Sequence, residues 1–265
     1  MKFMLNILKK KRVHNPDFLI DTETEGQLTV VIGDIHGCYQ PLAKLLRKVL
    51  RLKKKIAHKK FKLVFLGDLI DRGPNSSDVI YLIMRISKSD IDVVNIVGNH
   101  EEVLLDVIDG NVALLRQWFE FGGQETARSY GVEDLGLAFS DPVKLLINLR
   151  ESIPQEHIDF IRSFKDGYVF DKIACVHAGV RPNVSLLEQD PADLRWIREP
   201  FLESERDYGY RIIHGHTIVE DPEIKHNRIS LDTGSYKTGI ITAAYIMNGK
   251  IGFIRSDDQA VMWNL

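Results

Sequence analysis

Cysteine is scarce: Cys38 and Cys175 are the only two in 265 residues. Two cysteines cannot build a disulfide framework, so a reducing, cytoplasmic setting is the simpler expectation. Long apolar runs are missing too; none approaches the roughly 20 residues that span a bilayer. Charge of one sign is nearly absent, because 35 basic against 37 acidic residues leave a net −2. No general affinity for nucleic acid follows from such a balance. There is no internal repeat and no low-complexity tract beyond Lys53-Lys54-Lys55 and Lys59-Lys60, read as a solvated face. Apolar residues are plentiful at 44 %, which excludes disorder over most of the length and supplies a substantial core. The length suits one large domain or two small ones at roughly 150 residues each.

Met1 to Leu8 is mildly apolar, and Lys9-Lys10-Lys11-Arg12 follows it. A secretory signal has the opposite order and a small-residue cleavage site. Residues 1–26 are therefore read as a basic N-terminal arm, with a membrane-surface contact as the alternative. From Gln27 to Leu265 the chain alternates strand-like and helix-like segments. Leu28-Thr29-Val30-Val31-Ile32, Leu63-Val64-Phe65-Leu66 and Val93-Val94-Asn95-Ile96-Val97 are short β-branched or apolar runs, each ending at a glycine. Helical patterns follow the first two, over Pro41–Leu52 and Ser77–Ser87. Three strand–loop–helix units in a row imply an α/β fold with a parallel or mixed sheet. In such sheets, sites form at the carboxyl ends of strands. Residues 101–164 read as a helical insertion rather than an independent domain. The last third returns to strands before His177, His214 and Asp232, and ends in a hairpin around Asn248-Gly249.

The residues after those strands are Gly33-Asp34-Ile35-His36-Gly37, Gly67-Asp68-Leu69-Ile70-Asp71-Arg72-Gly73 and Gly98-Asn99-His100-Glu101, then His177-Ala178-Gly179 and His214-Gly215-His216. Carboxylate and imidazole donors in this mixture suit divalent Mn, Fe or Zn. Their number exceeds one ion's needs, so two metals sharing a carboxylate is the natural reading. His214 and His216 compete for one position, since both end the same strand.

This series of motifs resembles the phosphoprotein phosphatase family of metallophosphoesterases, especially its short bacterial and phage members. The resemblance runs from Gly33 to His216 and implies a calcineurin-like fold: a central mixed β-sandwich flanked by helices, the catalytic domain filling residues 27–265. It implies that Asp34 and His36 bind one metal, that Asp68 bridges, and that Asn99, His177 and His216 complete the second. His100 would be the general acid and Asp71 its orienting partner. Arg72 would hold the substrate phosphate, with Arg198 of Trp196-Ile197-Arg198 as the second arginine and Asn99 beside them. The cofactors would be two divalent ions, manganese first, with iron or zinc as the other candidates. The nucleophile would be a hydroxide shared by the metals.

Three activities compete. A Ser/Thr-type or dual-specificity protein phosphatase is the first expectation, because Asp71 in the Asp-Arg-Gly triplet and Glu101 match that branch. Its partner would be a phosphorylated protein or a small phosphoester. A diadenosine tetraphosphate hydrolase of the sister branch is the alternative. A non-catalytic scaffold is the third, disfavoured because no ligand or acid is missing. Among the remaining residues, Cys175 and the Trp118-Phe119 pair are read as core, and His14, His58, His157 and His226 as solvent-facing.

Overall fold

A computed structural model describes residues 15–257. The apolar and basic segments around Met1–Arg12, and His14, lie outside the described residues. Two mixed β-sheets pack face to face. The first holds β2 (Gln27–Ile32), β3 (Lys60–Phe65) and β4 (Asp92–Asn95) in parallel, with β10 (Thr242–Met247) and β11 (Lys250–Arg255) antiparallel beside β2. The second runs in the order β1 (Phe18–Asp21), β5 (Gly167–Phe170), β6 (Ile173–Val176), β7 (Arg211–His214), β9 (Arg228–Ser230) and β8 (Glu223–Ile224). Two facing mixed sheets with a helical cover are the α/β sandwich that the resemblance implied.

Burial explains why β2 lacks an alternating pattern. Val31 packs between the sheets with Val64, Ile96, Cys175 and Ile213. Its neighbours Val30 and Ile32 face the helices on the other side. A strand covered on both faces reads as a continuous apolar run. The helical cover comprises α1 (Tyr39–Lys55), α2 (Ser76–Ser87) and α3 (Asn99–Ile108), followed by the short α4 (Leu115–Trp118), α5 (Gln124–Ser129) and α6 (Leu137–Ser140), then α7 (Pro142–Ser152) and α8 (Gln155–Arg162). In α1 the buried stripe is Leu42, Leu45, Leu46 and Val49, and Lys53, Lys54 and Lys55 close its last turn, where the helix dipole favours cations. The insertion shares one core with α1 and α2, so it is part of the domain. The outer face of the second sheet is covered by α9 (Pro191–Trp196) and Phe201.

The boundary at residue 27 needs correction. β1 lies within the segment read as an arm, yet it pairs in parallel with β5 from Phe18↔Gly167 to Asp21↔Phe170. Four residues of an edge strand, with Leu19 and Ile20 exposed, carry little periodic signal. The terminal hairpin turns at Asn248 and Gly249, both with positive φ, as a two-residue turn requires.

Candidate functional site

Six strands deliver polar residues to one edge of the sandwich. Asp34 and His36 follow β2, Asp68 follows β3, and Asn99 and His100 open α3 just beyond β4. His177 follows β6, His216 follows β7, and Asp232 follows β9. All eight are buried. The backbone is unusual here. Among the described residues, eight non-glycine positions have positive φ, and five of them are His36, Asp68, Asp71, Arg72 and His216. Such conformations store strain and cluster at functional sites. Gly98 and Gly215 are needed for approach: a side chain at Gly98 would overlap Asp68 Oδ1, and one at Gly215 would overlap Asp34 Oδ1.

Two donor groups share Asp68. His36, Asp68 and His100 form one; Asp68, His177 and His216 form the other. His36 Nε2 lies 3.6 Å from Asp68 Oδ2, and His177 Nε2 lies 3.4 Å from Asp68 Oδ1. His36 Nδ1 bonds the Ile70 carbonyl (3.0 Å) and His177 Nδ1 the Leu66 carbonyl (2.8 Å). A carbonyl only accepts, so each Nδ1 carries the proton and each Nε2 can present its lone pair inward. Asn99 Oδ1 sits 3.0 Å from His177 Nε2 and 2.8 Å from His216 Nδ1. His216 Nε2 is buried with no hydrogen-bond partner. Asp34 is tied in through the His216 backbone N–H (3.0 Å). Burial, reinforced by the Asp232 charge, raises the Asp34 pKa well above the usual range; burial also raises that of Asp232. Converging acceptors, an orphaned imidazole nitrogen and crowded buried acids fit divalent cations.

The acid pair has its own support. His100 Nδ1 stands 2.7 Å from Asp71 Oδ2. Burial alone would depress the His100 pKa, but the Asp68 charge and the Asp71 hydrogen bond outweigh it and raise it. Asp71 in turn accepts from Trp118 Nε1 (3.0 Å) and Thr126 Oγ1 (2.6 Å), and its N–H donates to Thr126 Oγ1 (2.9 Å). The Gly122 carbonyl accepts from the Arg72 N–H at 2.9 Å. The helical insertion therefore fixes the Asp71-Arg72 turn. The Arg72 guanidinium lies 4.7 Å from the Tyr236 ring centre and 2.7 Å from His36 Nε2. Arg198 is half-buried and donates to the His216 carbonyl (3.3 Å). Burial and then the Arg72 charge lower its pKa, so the two guanidiniums face a common region.

Every residue expected at the site is brought to this edge. His216 enters the cavity because its φ of 63° turns the chain. His214 points the other way, against Phe201 and Arg228, and burial pushes its pKa down to about 3. One expectation needs correction. His157 is not solvent-facing; it is buried, with Nδ1 2.9 Å from Tyr130 Oη, because its helix face packs inward. Trp118 is core, but its indole N–H serves Asp71, since a buried tryptophan needs an acceptor. The sequence reading also missed a clamp. Glu101, fully buried, accepts from the N–H groups of Asp68 (2.8 Å), Leu69 (2.8 Å) and Gly98 (2.9 Å). Its signal was available as Glu at the third position of a helix, where a side chain reaches back to the cap. Thr126 and Tyr236 carried no such local signal.

The profile of the calcineurin-like phosphoesterase family matches residues 28–237. A relative from Halalkalibacterium halodurans, named bis(5'-nucleosyl)-tetraphosphatase PrpE [asymmetrical], is 28 % identical over 237 residues, covering 80 % of this chain and 87 % of its own. A crystal structure of a candidate diadenosine tetraphosphatase superposes with a TM-score of 0.64 at 20 % identity, over 92 % of this chain and 100 % of the other. The cold-active protein-tyrosine phosphatase of a psychrophilic Shewanella gives 0.61 at 18 %, over 93 % and 82 %. These two structural likenesses speak to the fold alone.

Proposed function

The chain belongs to the calcineurin-like phosphoesterase family, and from that premise we propose that it is a two-metal phosphoester hydrolase acting as an asymmetrical bis(5'-nucleosyl)-tetraphosphatase. The observation that carries the two-metal part is Asp68, shared by two buried donor groups. The name of the Halalkalibacterium relative supports the substrate class. In this reading Asp34 and His36 serve one ion, Asn99, His177 and His216 the other, and Asp68 both. Bound divalent ions would supply charge neutralisation and an activated water. The chain's own residues do the rest. Arg72 and Arg198 orient the phosphate whose bond breaks. His100, kept cationic by Asp71, offers a proton to the departing oxygen. The products would be a nucleoside triphosphate and a nucleoside monophosphate.

One observation favours a second reading, phosphoprotein hydrolysis. The departing oxygen of a phosphoanhydride leaves as a phosphate and needs a proton less than a serine alkoxide does. The close His100–Asp71 pair (2.7 Å) has most value where that need is greatest. Turnover of diadenosine tetraphosphate against a phosphopeptide panel, with manganese added and iron and zinc compared, separates the two. Faster release of ATP and AMP supports the first reading, and faster phosphopeptide hydrolysis selects the second. No turnover of either removes both. Among the described residues no helix is long and apolar enough to cross a membrane. A cytoplasmic setting remains part of the proposal, resting on the scarcity of cysteine.

A further inference from the structure

A buried carboxylate that serves neither a metal nor the acid pair lies one turn behind the site. Glu102 is 8 % exposed. It follows His100 by two residues on α3, about 200° around the helix. While His100 faces the cavity, Glu102 faces α9. Its two oxygens are divided between neighbouring residues of that helix's last turn. Oε1 accepts from Arg195 Nη1 and Oε2 from Trp196 Nε1, both at 2.6 Å. Arg195 continues to Asp166, and Asp166 Oδ2 accepts from the Asp17 N–H at 2.7 Å. The body of α9 is fastened elsewhere: the Leu194 carbonyl accepts from the Ala178 N–H at 2.7 Å, and Asp193 accepts from Arg181 Nε at 2.6 Å and Nη2 at 2.5 Å. Two residues beyond Trp196, after the helix has ended at Ile197, comes Arg198. The Trp196 ring itself lies edge-on to that of His216, 6.5 Å between centres.

We infer that Glu102 is a positioning residue: acting through Trp196 and Arg195, it fixes the rotation of α9 and thereby aims Arg198 at the phosphate held beside His100. A buried ion pair is expensive to desolvate and is weak evidence for stability as such. Here it joins the helix that carries the acid to the segment that carries the second arginine. Leu194 and the Asp193–Arg181 pair hold the body of α9, but neither reaches the end of the helix, next to which Arg198 lies. The contacts from Glu102 fix that end. The inference deepens the proposed function and rests on its assignment of Arg198 to phosphate.

The test is a double-mutant cycle read by calorimetric titration of inorganic phosphate into the manganese-loaded protein. Glu102→Gln removes the charge but keeps the shape. Trp196→Phe removes only the indole N–H and part of the ring, and serves if Glu102→Gln fails to fold. Each should weaken phosphate binding by about tenfold, within the usual range for coupled neighbours, with metal content unchanged. In an Arg198→Ala background the same substitutions should have no further effect. In steady-state assays KM should rise more than kcat falls. Equal losses in both backgrounds, or no loss in either, would overturn the inference. Wild-type protein that binds phosphate yet turns over no phosphoester would sink the functional reading and leave this one standing. Wild-type protein that does not bind phosphate would sink both.

Discussion

Asp34, His36, Asp68, His177 and His216 leave strand ends directly, whereas Asp71 and His100 depend on side chains from the helical insertion. The first group is fixed by the sandwich. Its imidazoles bond the backbone carbonyls of Ile70 and Leu66, and Glu101 clamps the Asp68 loop through backbone N–H groups. The second group is fixed by Trp118 and Thr126, which are contributed by the elements around a kink at Gly122 with φ of 102°. Apart from Glu101 at the start of α3, cation binding and proton delivery therefore rest on different supports. Substitutions on the two sides should produce different defects.

The largest effect should come on the sandwich side. Asp68→Asn weakens the one carboxylate common to both donor groups, so metal content and turnover should fall together, turnover by roughly 10³-fold or more. Elemental analysis beside a phosphoester assay decides it; two retained metals with normal turnover would remove the bridging role. Metal removal follows from the same chemistry. Ligand present at 100 times its dissociation constant stabilises by about 2.7 kcal/mol, and chelation should lower Tm accordingly. The pH dependence has a definite sign. Asp34 holds its proton in the folded, metal-free protein to higher pH than the unfolded chain does, because burial and then Asp232 raise its pKa. At Asp34 the folded state thus stays protonated above the ordinary aspartate value of about 3.9, and the Asp34 contribution to metal-free stability should fall as pH rises from there. The difference in denaturation between the chelated protein and its Asp34→Asn variant at several pH values checks this; a difference that does not change with pH would contradict it.

On the acid side the metals should stay. His100→Asn should slow phosphoserine hydrolysis by roughly 10²–10⁴-fold and nitrophenyl phosphate hydrolysis far less, since nitrophenolate leaves without help. Asp71→Asn should show the same selectivity in milder form. Equal losses on both substrates, with metals intact, would mean that His100 stabilises charge on the phosphate rather than donating a proton.

The same division decided what could be read from the sequence. A donor that follows a strand is announced by its neighbours, so Gly33-Asp34, Gly67-Asp68 and Ala174-Cys175-Val176-His177 were legible as apolar run, turn and ligand. The terminal hairpin, with its exposed turn at Asn248-Gly249, was legible for a similar local reason. Trp118 and Thr126 reach Asp71 across 47 and 55 residues, and no spacing rule connects such positions. Glu102 follows Glu101 with no local pattern to mark its partners, which lie 93 and 94 residues away. β1 was hidden because an edge strand half in solvent has little need of an apolar pattern. Short-range chemistry is written in the chain as motifs, while the shell that aims it depends on tertiary packing.

The smallest predicted effect is the most direct probe of that shell. Thr126 Oγ1 donates to Asp71 Oδ1 and accepts from the Asp71 N–H, and it is fully buried. Thr126→Val keeps the shape and removes both bonds, together with the one to Ser76 Oγ at 3.0 Å. Bonds to charged groups are worth about 1.5–3 kcal/mol, so denaturant titration should show a loss of that order. Asp71 would keep Trp118 and still face His100, only less firmly. Phosphoserine turnover should then fall by roughly five- to tenfold, while nitrophenyl phosphate turnover changes by less than about twofold. Thr126→Ser restores the hydroxyl and should recover most of both losses. The serine control matters because a general loosening of the insertion would slow both substrates alike. Equal slowing that serine does not rescue would mean that the insertion shapes the cavity without orienting the acid, and the division between the two supports would fail on the helical side.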